Sequence, residues 1–322
     1  MILIISQEED YSTSEVIQWL LYYNAPFIRI NREDVCSLDK IVIANSESCS
    51  FVISSKKGEI SVEHITSVWY RRGEMNLHFP ALVFIKEKDL LKEINKHLKE
   101  ENAVLESFFH FLIEKIPHIG TYNMRIMNKL SVLHEAQKLK IEIPYTFIVN
   151  NSNGINCDEA LVTKSISEAF DPRISQGNYM TYTEGINPKN NSISFFPSLF
   201  QRLVEKEADI RIFYLQQSFY AMAIRSQDHP QTKTDFRKYL FVNPNRHFPF
   251  KIPGYLEKKL SDLMQNIGLE TGSIDMVFTK DGHFVFLEVN PIGQFGMTSK
   301  PCNYFLEREL ALSLIKLSKQ LS

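Results

Sequence analysis

The sequence predicts a mixed α/β (α+β) protein of two or three subdomains. Its first 30 residues follow a strand, helix, strand pattern, and residues 274–289 hold two apolar runs around Asp281-Gly282. An Asp-Gly pair between such runs is the strongest short-range signal for a β-hairpin. The chain has 322 residues, of which 44% are hydrophobic and 23% charged. This length and composition suit a globular protein with more than one sizeable core.

Composition and charge exclude several classes of protein. The formal net charge of -2 gives no global attraction to nucleic acid or to a membrane surface. No apolar run approaches the roughly 20 residues that span a bilayer, and the opening MILIISQEED becomes acidic too early for a signal peptide. The four cysteines are scattered and are typical of reduced intracellular thiols. We therefore expect a cytoplasmic protein with no nucleic-acid or membrane partner.

The chain begins with a β-α-β pattern. Met1–Ser6 is an apolar run that suits a buried parallel strand, and the S-T-S-E pattern from Ser12 indicates a helix start with a capping box. Pro26 ends that helix before a second strand at Phe27–Ile30. This opening resembles a Rossmann-type lobe. It lacks a GxGxxG sequence, so it does not predict dinucleotide binding.

Periodicity places the remaining elements. Apolar residues at helical spacing predict further helices at Lys86–Ile116, Arg125–Leu139, Lys251–Asn266 and Asn303–Leu321. The first of these is either one long helix or two helices joined near Asn102. Short apolar runs predict strands at Phe51–Ser54, Glu59–Val62, Ser67–Tyr70, Tyr145–Val149, Leu161–Lys164, Ile210–Leu215, Tyr220–Arg225 and Tyr239–Val242. The phenylalanine-rich stripe of the first of these helices is typical of a core or of a dimer interface.

Two arginines, Arg71 and Arg72, directly follow the strand that ends at Tyr70. In an α/β lobe, ligand groups gather at the carboxyl ends of strands. A solvated basic loop is the alternative interpretation, and the sequence leaves both open.

The predicted hairpin places two carboxylates opposite each other. A two-residue turn at Asp281-Gly282 pairs Asp275 with Glu288, with Cβ atoms about 5 Å apart. Asn290 lies two residues further along the strand, so its side chain points to the same face. Facing like charges are destabilising, and a Mg²⁺ ion would compensate them. The alternative is a solvated hairpin face, against which the neighbouring apolar residues argue.

The D-x(12)-E-V-N-P pattern ending in Asn290-Pro291 resembles the metal-binding end of the ATP-grasp ligases. The resemblance implies that Asp275, Glu288 and Asn290 hold two Mg²⁺ ions against the phosphates of ATP. It also implies an N-terminal Rossmann-like, pre-ATP-grasp lobe (1–120), a central lid subdomain (121–200) and a C-terminal antiparallel-sheet subdomain (201–322).

Other parts of the chain follow the order of the same family. A helix with Lys129, an Ile-Pro-strand segment and a strand ending in Lys164 match its lid, where both lysines reach the phosphates. By resemblance, Gln201, Leu203 and Val204 line the adenine site, and Glu207 rather than Glu205 takes the ribose hydroxyls. Arg237, in the segment T-D-F-R-K, is expected to face the γ-phosphate or the acyl phosphate. The chain departs from the family after Lys164, because the loop Ser165–Gly185 is polar rather than glycine-rich.

Within that family the chain resembles the graspetide synthetases, in particular the type that accompanies radical-SAM partners. Four segments show this resemblance: the opening MILIIS with D-x-S-T, the W-Y-R-R segment at Trp69, the run from Glu205 and Glu207 to Arg211, and T-D-F-R-K. The resemblance implies an ATP-dependent ligase that activates Asp or Glu side chains of a ribosomal precursor peptide as acyl phosphates. These are then joined to Ser, Thr or Lys as macrocyclic esters or amides. A leader segment of the peptide docks on the enzyme, and a homodimer is expected.

On this interpretation, Arg71, Arg72 and Arg237 are expected to converge on the reacting carboxylate and the phosphates. Asp209 and Arg211 alternate around Ile210, so we expect both to point away from the buried face of their strand. They would then control substrate by gripping the leader peptide. A surface ion pair worth less than ~1 kcal/mol is the alternative.

Two other functions remain open at the level of sequence. One is an ATP-grasp ligase that adds a free amino acid to a peptide or protein, like a glutamate ligase or a glutathione synthetase. The other is a non-catalytic, ATP-binding regulator. Turnover that depends on a leader peptide would distinguish a graspetide synthetase from a ligase for free amino acids. Consumption of ATP that depends on a peptide would exclude a non-catalytic regulator.

Overall fold

The computed structural model describes residues 1–45, 47–78, 82–122, 127–155, 160–167, 173–174, 177–178, 184–186, 194–226 and 245–320. The chain forms two compact units, Met1–Met124 with Phe305–Ser322, and Arg125–Tyr304. The predicted mixed α/β architecture is confirmed. The sequence-based division placed 201–322 together, whereas in the structure the C-terminal helix belongs to the first unit. None of the described helices is long and apolar enough to cross a membrane.

The first unit contains two sheets. Its elements are β1 (Ile2–Ser6), α1 (Tyr11–Tyr22), β2 (Phe27–Asn31), β3 (Val35–Ala44), β4 (Glu47–Ser55), β5 (Gly58–Ser61), a 3-10 turn (Val62–His64), β6 (Ser67–Tyr70), β7 (Asn76–Leu77), α2 (Lys88–Ile113) and β8 (His118–Ile119). The parallel sheet has the order β2-β1-β6-β8, and the second sheet has the order β5-β4-β3-β7. The predicted β-α-β opening is therefore present. Strand β3, which the sequence analysis did not predict, is the partner of β4.

The core of the first unit lies around strand β1. All five of its residues are buried, as the uninterrupted apolar run requires of a strand covered on both faces. Helix α1 begins at Tyr11 and its N-cap is Asp10, whose side chain accepts a hydrogen bond from Thr13 N at 2.8 Å. The predicted capping box at Ser12 is therefore wrong, since Ser12 already lies in the first helical turn.

The backbone of the loop after β6 packs tightly against β1. Arg71 N and Arg72 N both donate to Ile5 O, at 3.0 and 3.2 Å. Gly73 has φ +106, and a Cβ there would lie 2.2 Å from Ser6 O. The hydroxyl of Tyr70 donates to Gly73 O. Glycine is therefore required for the loop to turn across the carboxyl end of β1.

The described residues of the second unit form a four-stranded sheet, a two-stranded sheet and a five-stranded antiparallel sheet. The four-stranded sheet is called the lid sheet after the predicted lid subdomain. Its elements are α3 (Lys129–Lys138), β9 (Thr146–Asn151), a 3-10 turn (Ser152–Gly154), β10 (Leu161–Lys164), β11 (Arg173–Ile174), β12 (Gly177–Asn178), β13 (Glu184–Ile186), β14 (Ser194–Arg202), β15 (Lys206–Leu215), β16 (Ser218–Arg225), β17 (Arg246–Phe250), α4 (Gly254–Asn266), β18 (Thr271–Thr279), β19 (Phe284–Asn290) and α5 (Gly296–Cys302). The lid sheet has the order β13-β10-β14-β9 and the larger sheet β17-β16-β15-β18-β19. The C-terminal helix α6 (Leu306–Ser318) packs on α1 and β6 of the first unit.

The hairpin of β18 and β19 has a longer turn than predicted. Gly282 N donates to Thr279 O at 3.1 Å and Thr279 N to His283 O at 2.9 Å, which encloses the three residues 280–282. Gly282 has φ +84, as the last residue of such a three-residue loop requires. The predicted two-residue turn is therefore wrong, and Met276 pairs with Phe286.

A β-bulge restores the predicted pairing further along the hairpin. The register shifts between Asp275 and Met276, with Leu287 as the extra residue on β19. Beyond the bulge, Asp275 pairs with Glu288 and Ser273 with Asn290. The predicted pairing of Asp275 with Glu288 is thus confirmed, although it depends on a bulge that the sequence did not reveal.

Replacing Gly73 with alanine should destabilise the first unit by roughly 3 kcal/mol, because an L-residue is strained at this φ and its Cβ meets the Ser6 carbonyl. The measurement is the free energy of unfolding in urea. Gly58→Ala is the matched control, since Gly58 also has positive φ (+129) but nothing lies within 4 Å of its Cβ position. Equal losses in the two variants would contradict the close contact.

Candidate functional site

Three charged residues form a row across the five-stranded sheet. Arg211 on β15 pairs with Asp275 on β18, which pairs with Glu288 on β19. Directly paired residues of antiparallel strands project from the same face of the sheet. Arg211 Nη1 lies 3.1 Å from Asp275 Oδ1 and 3.3 Å from Oδ2. The guanidinium group therefore compensates one of the two facing carboxylates.

Two lysines from different elements meet on the other carboxylate. Lys129 is the first residue of α3, whose N-cap is Asn128, and Lys164 is the last residue of β10. Their Nζ atoms lie 3.2 Å and 3.5 Å from Glu288 Oε2. The structure thus brings together both lysines and the carboxylate that the sequence singled out.

The pKa of Lys164 is lowered, mainly by burial of its side chain. Glu288 acts in the opposite direction and raises this pKa, and the positive charge of Lys129 lowers it again. Burial therefore disfavours the charged form of this ammonium group, and a nearby anion favours the charged form. A phosphate oxygen is a partner of this kind.

The donor atoms at this position fit a magnesium ion. Carboxylate oxygens and a carboxamide oxygen are the hard ligands that Mg²⁺ takes, together with phosphate oxygens and waters. Asn290 Oδ1 accepts a hydrogen bond from Ile292 N at 3.2 Å and keeps a second lone pair. Within the described parts of the chain, no three His, Cys, Asp or Glu side chains form a metal-binding cluster. A metal bound by Asp275 and Glu288 would therefore need ligands from Asn290, phosphates or water.

The predicted adenine residues lie at the connection between the two sheets. Gln201, near the end of β14, is buried and its Nε2 donates to Thr146 Oγ1 at 3.0 Å. Leu203 is 39% exposed and its N–H donates to Ala160 O at 2.8 Å. Val204 follows in the short segment before β15. That segment joins the lid sheet to the five-stranded sheet.

Glu207 occupies a β-bulge in β15. The register of β15 against β18 shifts between Lys206 and Ala208. Glu207 is exposed, and its Oε1 lies 3.4 Å from Arg225 Nη2. The carboxylate that the resemblance assigned to the ribose is therefore accessible to solvent.

The prediction that Asp209 and Arg211 face solvent is wrong. Their exposures are 5% and 8%, because β15 is the central strand of the sheet and both of its faces are covered. They do not form an ion pair with each other either. Arg211 contacts Asp275, and Asp209 accepts hydrogen bonds from Lys206 Nζ at 2.6 Å and from Ser226 Oγ at 2.7 Å.

The bulge explains why Lys206 reaches Asp209. Residues three apart on a regular strand point to opposite faces, and the extra residue at Glu207 places these two on the same face. Sequence reasoning missed Lys206 and Ser226. No signal in the sequence identifies them, because their contacts require the bulge and the neighbouring strand β16.

The two strand-end arginines of the first unit share one carboxylate. Asp10 Oδ2 lies 3.3 Å from Arg71 Nε and 3.5 Å from Arg72 Nε. The side chain of Arg71 is 5% exposed and that of Arg72 is 36% exposed. Burial lowers the pKa of Arg71 to about 10, with Asp10 raising it and Arg72 lowering it. The sequence analysis quoted Asp10 only as the first residue of the D-x-S-T motif and assigned it no role in the site, although its position just after a strand could have suggested one.

Two predicted features lie outside the described residues. These are Arg237, with its T-D-F-R-K segment, and the predicted strand Tyr239–Val242. Their assignments stay predictions.

Comparisons with known proteins identify the fold. Residues 1–123 match the family model of the MvdD pre-ATP grasp domain. No curated protein sequence matches the chain. Solved structures of ATP-grasp ligases, however, match it over nearly its whole length. The chain therefore has the ATP-grasp fold, and the fold predicted from the sequence is confirmed.

Several of these structures have peptide ligands, and three of them illustrate the likeness. A RiPP-associated ATP-grasp ligase of Chryseobacterium gregarium, in complex with ADP and a leader and core peptide, has TM-score 0.78 and 21% identity, and covers 100% of this chain and 97% of its own. The macrocyclase MdnC of Microcystis aeruginosa MRC, bound with its precursor peptide MdnA, has TM-score 0.75 and 23% identity over 98% and 99%. The ATP-grasp ligase PsnB with minimal precursor, Mg and ADP has TM-score 0.69 and 13% identity over 99% and 98%.

The buried contact between Lys206 and Asp209 should be important for stability. Asp209→Ala removes the carboxylate that faces a buried ammonium group, so the free energy of unfolding in urea should fall by roughly 3 kcal/mol. Asp209→Asn should cost less, since it keeps an acceptor for Ser226 Oγ. The double variant Lys206→Met/Asp209→Leu should recover most of the loss. An unchanged stability of Asp209→Ala would contradict this account.

Proposed function

We propose that the chain is an ATP-dependent ligase that forms macrocyclic esters or amides in a ribosomal precursor peptide. It would activate Asp or Glu side chains of the core peptide as acyl phosphates, which Ser or Thr hydroxyls or Lys amines then attack with release of phosphate. The observation that carries the proposal is the cluster of Lys129 and Lys164 on Glu288, opposite Asp275, on an ATP-grasp fold. The peptide complexes of similarly folded ligases support the choice of substrate.

The cofactors of this reaction would be ATP and two Mg²⁺ ions. Asp275, Glu288 and Asn290 would hold the metal, which neutralises charge on the transferring phosphoryl oxygens. Lys129 and Lys164 would bind phosphate oxygens. Their contacts with Glu288 support this assignment, since both ammonium groups lie within 3.5 Å of one oxygen of a proposed metal ligand. Magnesium in a complex of PsnB supports this assignment.

The nucleotide base and sugar would bind at the connection between the sheets. Gln201, Leu203 and Val204 would line the adenine, and Glu207 would accept hydrogen bonds from the ribose hydroxyls. The exposure of Leu203 and Glu207 supports this assignment, since both are accessible to a ligand. Glu207 would exchange its contact with Arg225 for the sugar.

Arginine side chains are proposed to bind the acidic groups of the peptide. Arg71 and Arg72 together are proposed to form the part of the protein that recognises the carboxylates of the peptide, and Arg237 to stabilise the acyl phosphate, because a guanidinium group binds two oxygens at once. Asp209 and Arg211 would influence binding of the leader. Since Asp209 is buried and held by Lys206 and Ser226, it would act through the neighbouring hinge rather than by direct contact.

A homodimer is part of the proposal. Large apolar side chains that are exposed on and just before α2 support it, namely Val83, Phe84, Leu90, Val104 and Phe111. A ligase of this kind would act in the cytoplasm, where ATP and newly made peptides are present.

Replacing Glu288 with glutamine should abolish ligation, because it removes the charge that faces Asp275 and holds both lysines. The expected loss of turnover is roughly 100-fold or more, with an unchanged melting temperature. Co-expression with candidate precursor peptides, followed by mass spectrometry, measures the loss of one water per ring.

Glu309→Gln is the control, because Glu309 pairs with Arg308 on the surface of α6. Full ring formation in Glu288→Gln would refute the assignment of this carboxylate. ATP consumption with a free amino acid, and none with a peptide, would instead favour a ligase for free amino acids.

A further inference from the structure

The cluster of Asp10, Arg71 and Arg72 supports an assignment beyond the proposed reaction. We propose that Asp10 is a positioning residue that anchors Arg71 in the interior and orients Arg72, and that Arg72 is the arginine that contacts a side-chain carboxylate of the peptide. The choice of ligand rests on the proposed function. The division of roles between the two arginines rests on the geometry of this cluster.

Asp10 connects two loops at the carboxyl end of the parallel sheet. Its Oδ1 accepts a hydrogen bond from Thr13 N at 2.8 Å, which fixes the start of α1 after β1. Its Oδ2 faces the Nε atoms of Arg71 and Arg72, in the loop after β6. One carboxylate, with a side-chain exposure of 5%, therefore holds both a helix start and two guanidinium groups.

Burial distinguishes the two arginines. Arg71, at 5% exposure, lies within the protein, and Arg72, at 36%, reaches solvent. Both guanidinium groups lie beside the same carboxylate oxygen, so their positive charges are close together. A carboxylate arriving from solvent would meet the exposed group, which is Arg72, and would balance its charge.

Hydrogen bonds and a close approach hold the backbone beneath this cluster. Both arginine N–H groups donate to Ile5 O, and Gly73 lies in contact with the Ser6 carbonyl. The backbone of Arg72 is therefore held by a hydrogen bond, and its Nε lies 3.5 Å from the Asp10 carboxylate, which favours one orientation of the side chain. Fixing a binding group before its ligand arrives reduces the entropy lost on binding.

The test uses the full chain labelled with ¹⁵N in its arginine side chains, so that the Nε–H groups of individual arginines give NMR signals. Arg71→Lys and Arg72→Lys assign the two signals. The probe is N-acetyl-glutamate amide, which carries one side-chain carboxylate on a neutral backbone. N-acetyl-glutamine amide, of the same shape without the charge, is the matched ligand control.

The signal of Arg72 should shift saturably with the glutamate probe and not with the glutamine probe, and Arg72→Ala should remove saturable binding. Asp10→Asn keeps a helix N-cap but loses the charge, so it should weaken binding by roughly five-fold. Glu33→Gln is the control for loss of a nearby carboxylate and should leave binding unchanged, because Glu33 pairs with Arg32 instead.

A saturable shift of the Arg71 signal rather than the Arg72 signal would overturn the proposal, as would the absence of a saturable shift in both. Binding of the glutamate probe to Asp10→Asn with wild-type affinity would also overturn it. If Asp10→Asn does not fold, the two arginine signals in the wild type still show which arginine contacts the carboxylate of the probe. The readout needs neither ATP nor turnover. Asp10-dependent binding at Arg72 in a chain that modifies no peptide would therefore refute the ligase assignment and leave this inference standing.

Discussion

The candidate site depends on the contacts that the carboxylate of Glu288 makes. Lys129 from α3 and Lys164 from the lid sheet lie within 3.5 Å of one of its oxygens, and Asp275 faces it across the hairpin. The negative charges of Asp275 and Glu288 repel each other, and nearby positive charges must compensate them. Arg211 supplies such a charge to Asp275, and the two lysines supply it to Glu288. The same arrangement suits ATP, whose phosphates need cations and whose magnesium needs carboxylates.

The strand register that creates this contact was only partly predictable. The sequence identified the hairpin and the pairing of Asp275 with Glu288, because an Asp-Gly pair and alternating apolar residues are local signals. It did not reveal the three-residue turn or the bulge at Leu287, whose effects on the register cancel at Asp275. The local spacing does not distinguish between the possible turns, because hairpins with two-residue and with three-residue turns can both contain this Asp-Gly pair.

The charged residues of β15 show a second limit of sequence reasoning. Alternation around Ile210 predicts which residues share a face of the strand, but not whether solvent or protein covers that face. Asp209 and Arg211 do share a face, and that face is buried in a central strand. Their partners Lys206, Ser226 and Asp275 come from a bulge and from adjacent strands, so only the fold brings them together. In the first unit, Asp10 likewise meets Arg71 and Arg72 only because the fold brings two distant loops together.

The most direct test of the account is the magnesium dependence of nucleotide binding, measured by calorimetry with ADP. We expect wild-type affinity for ADP to rise at least roughly ten-fold when Mg²⁺ is added, because in the proposed site the metal would join the phosphates to Asp275 and Glu288. In Asp275→Asn this rise should largely disappear, while affinity without Mg²⁺ stays near that of the wild type. An equal rise in the variant and in the wild type would show that the metal binds elsewhere and would contradict the assignment of this carboxylate cluster.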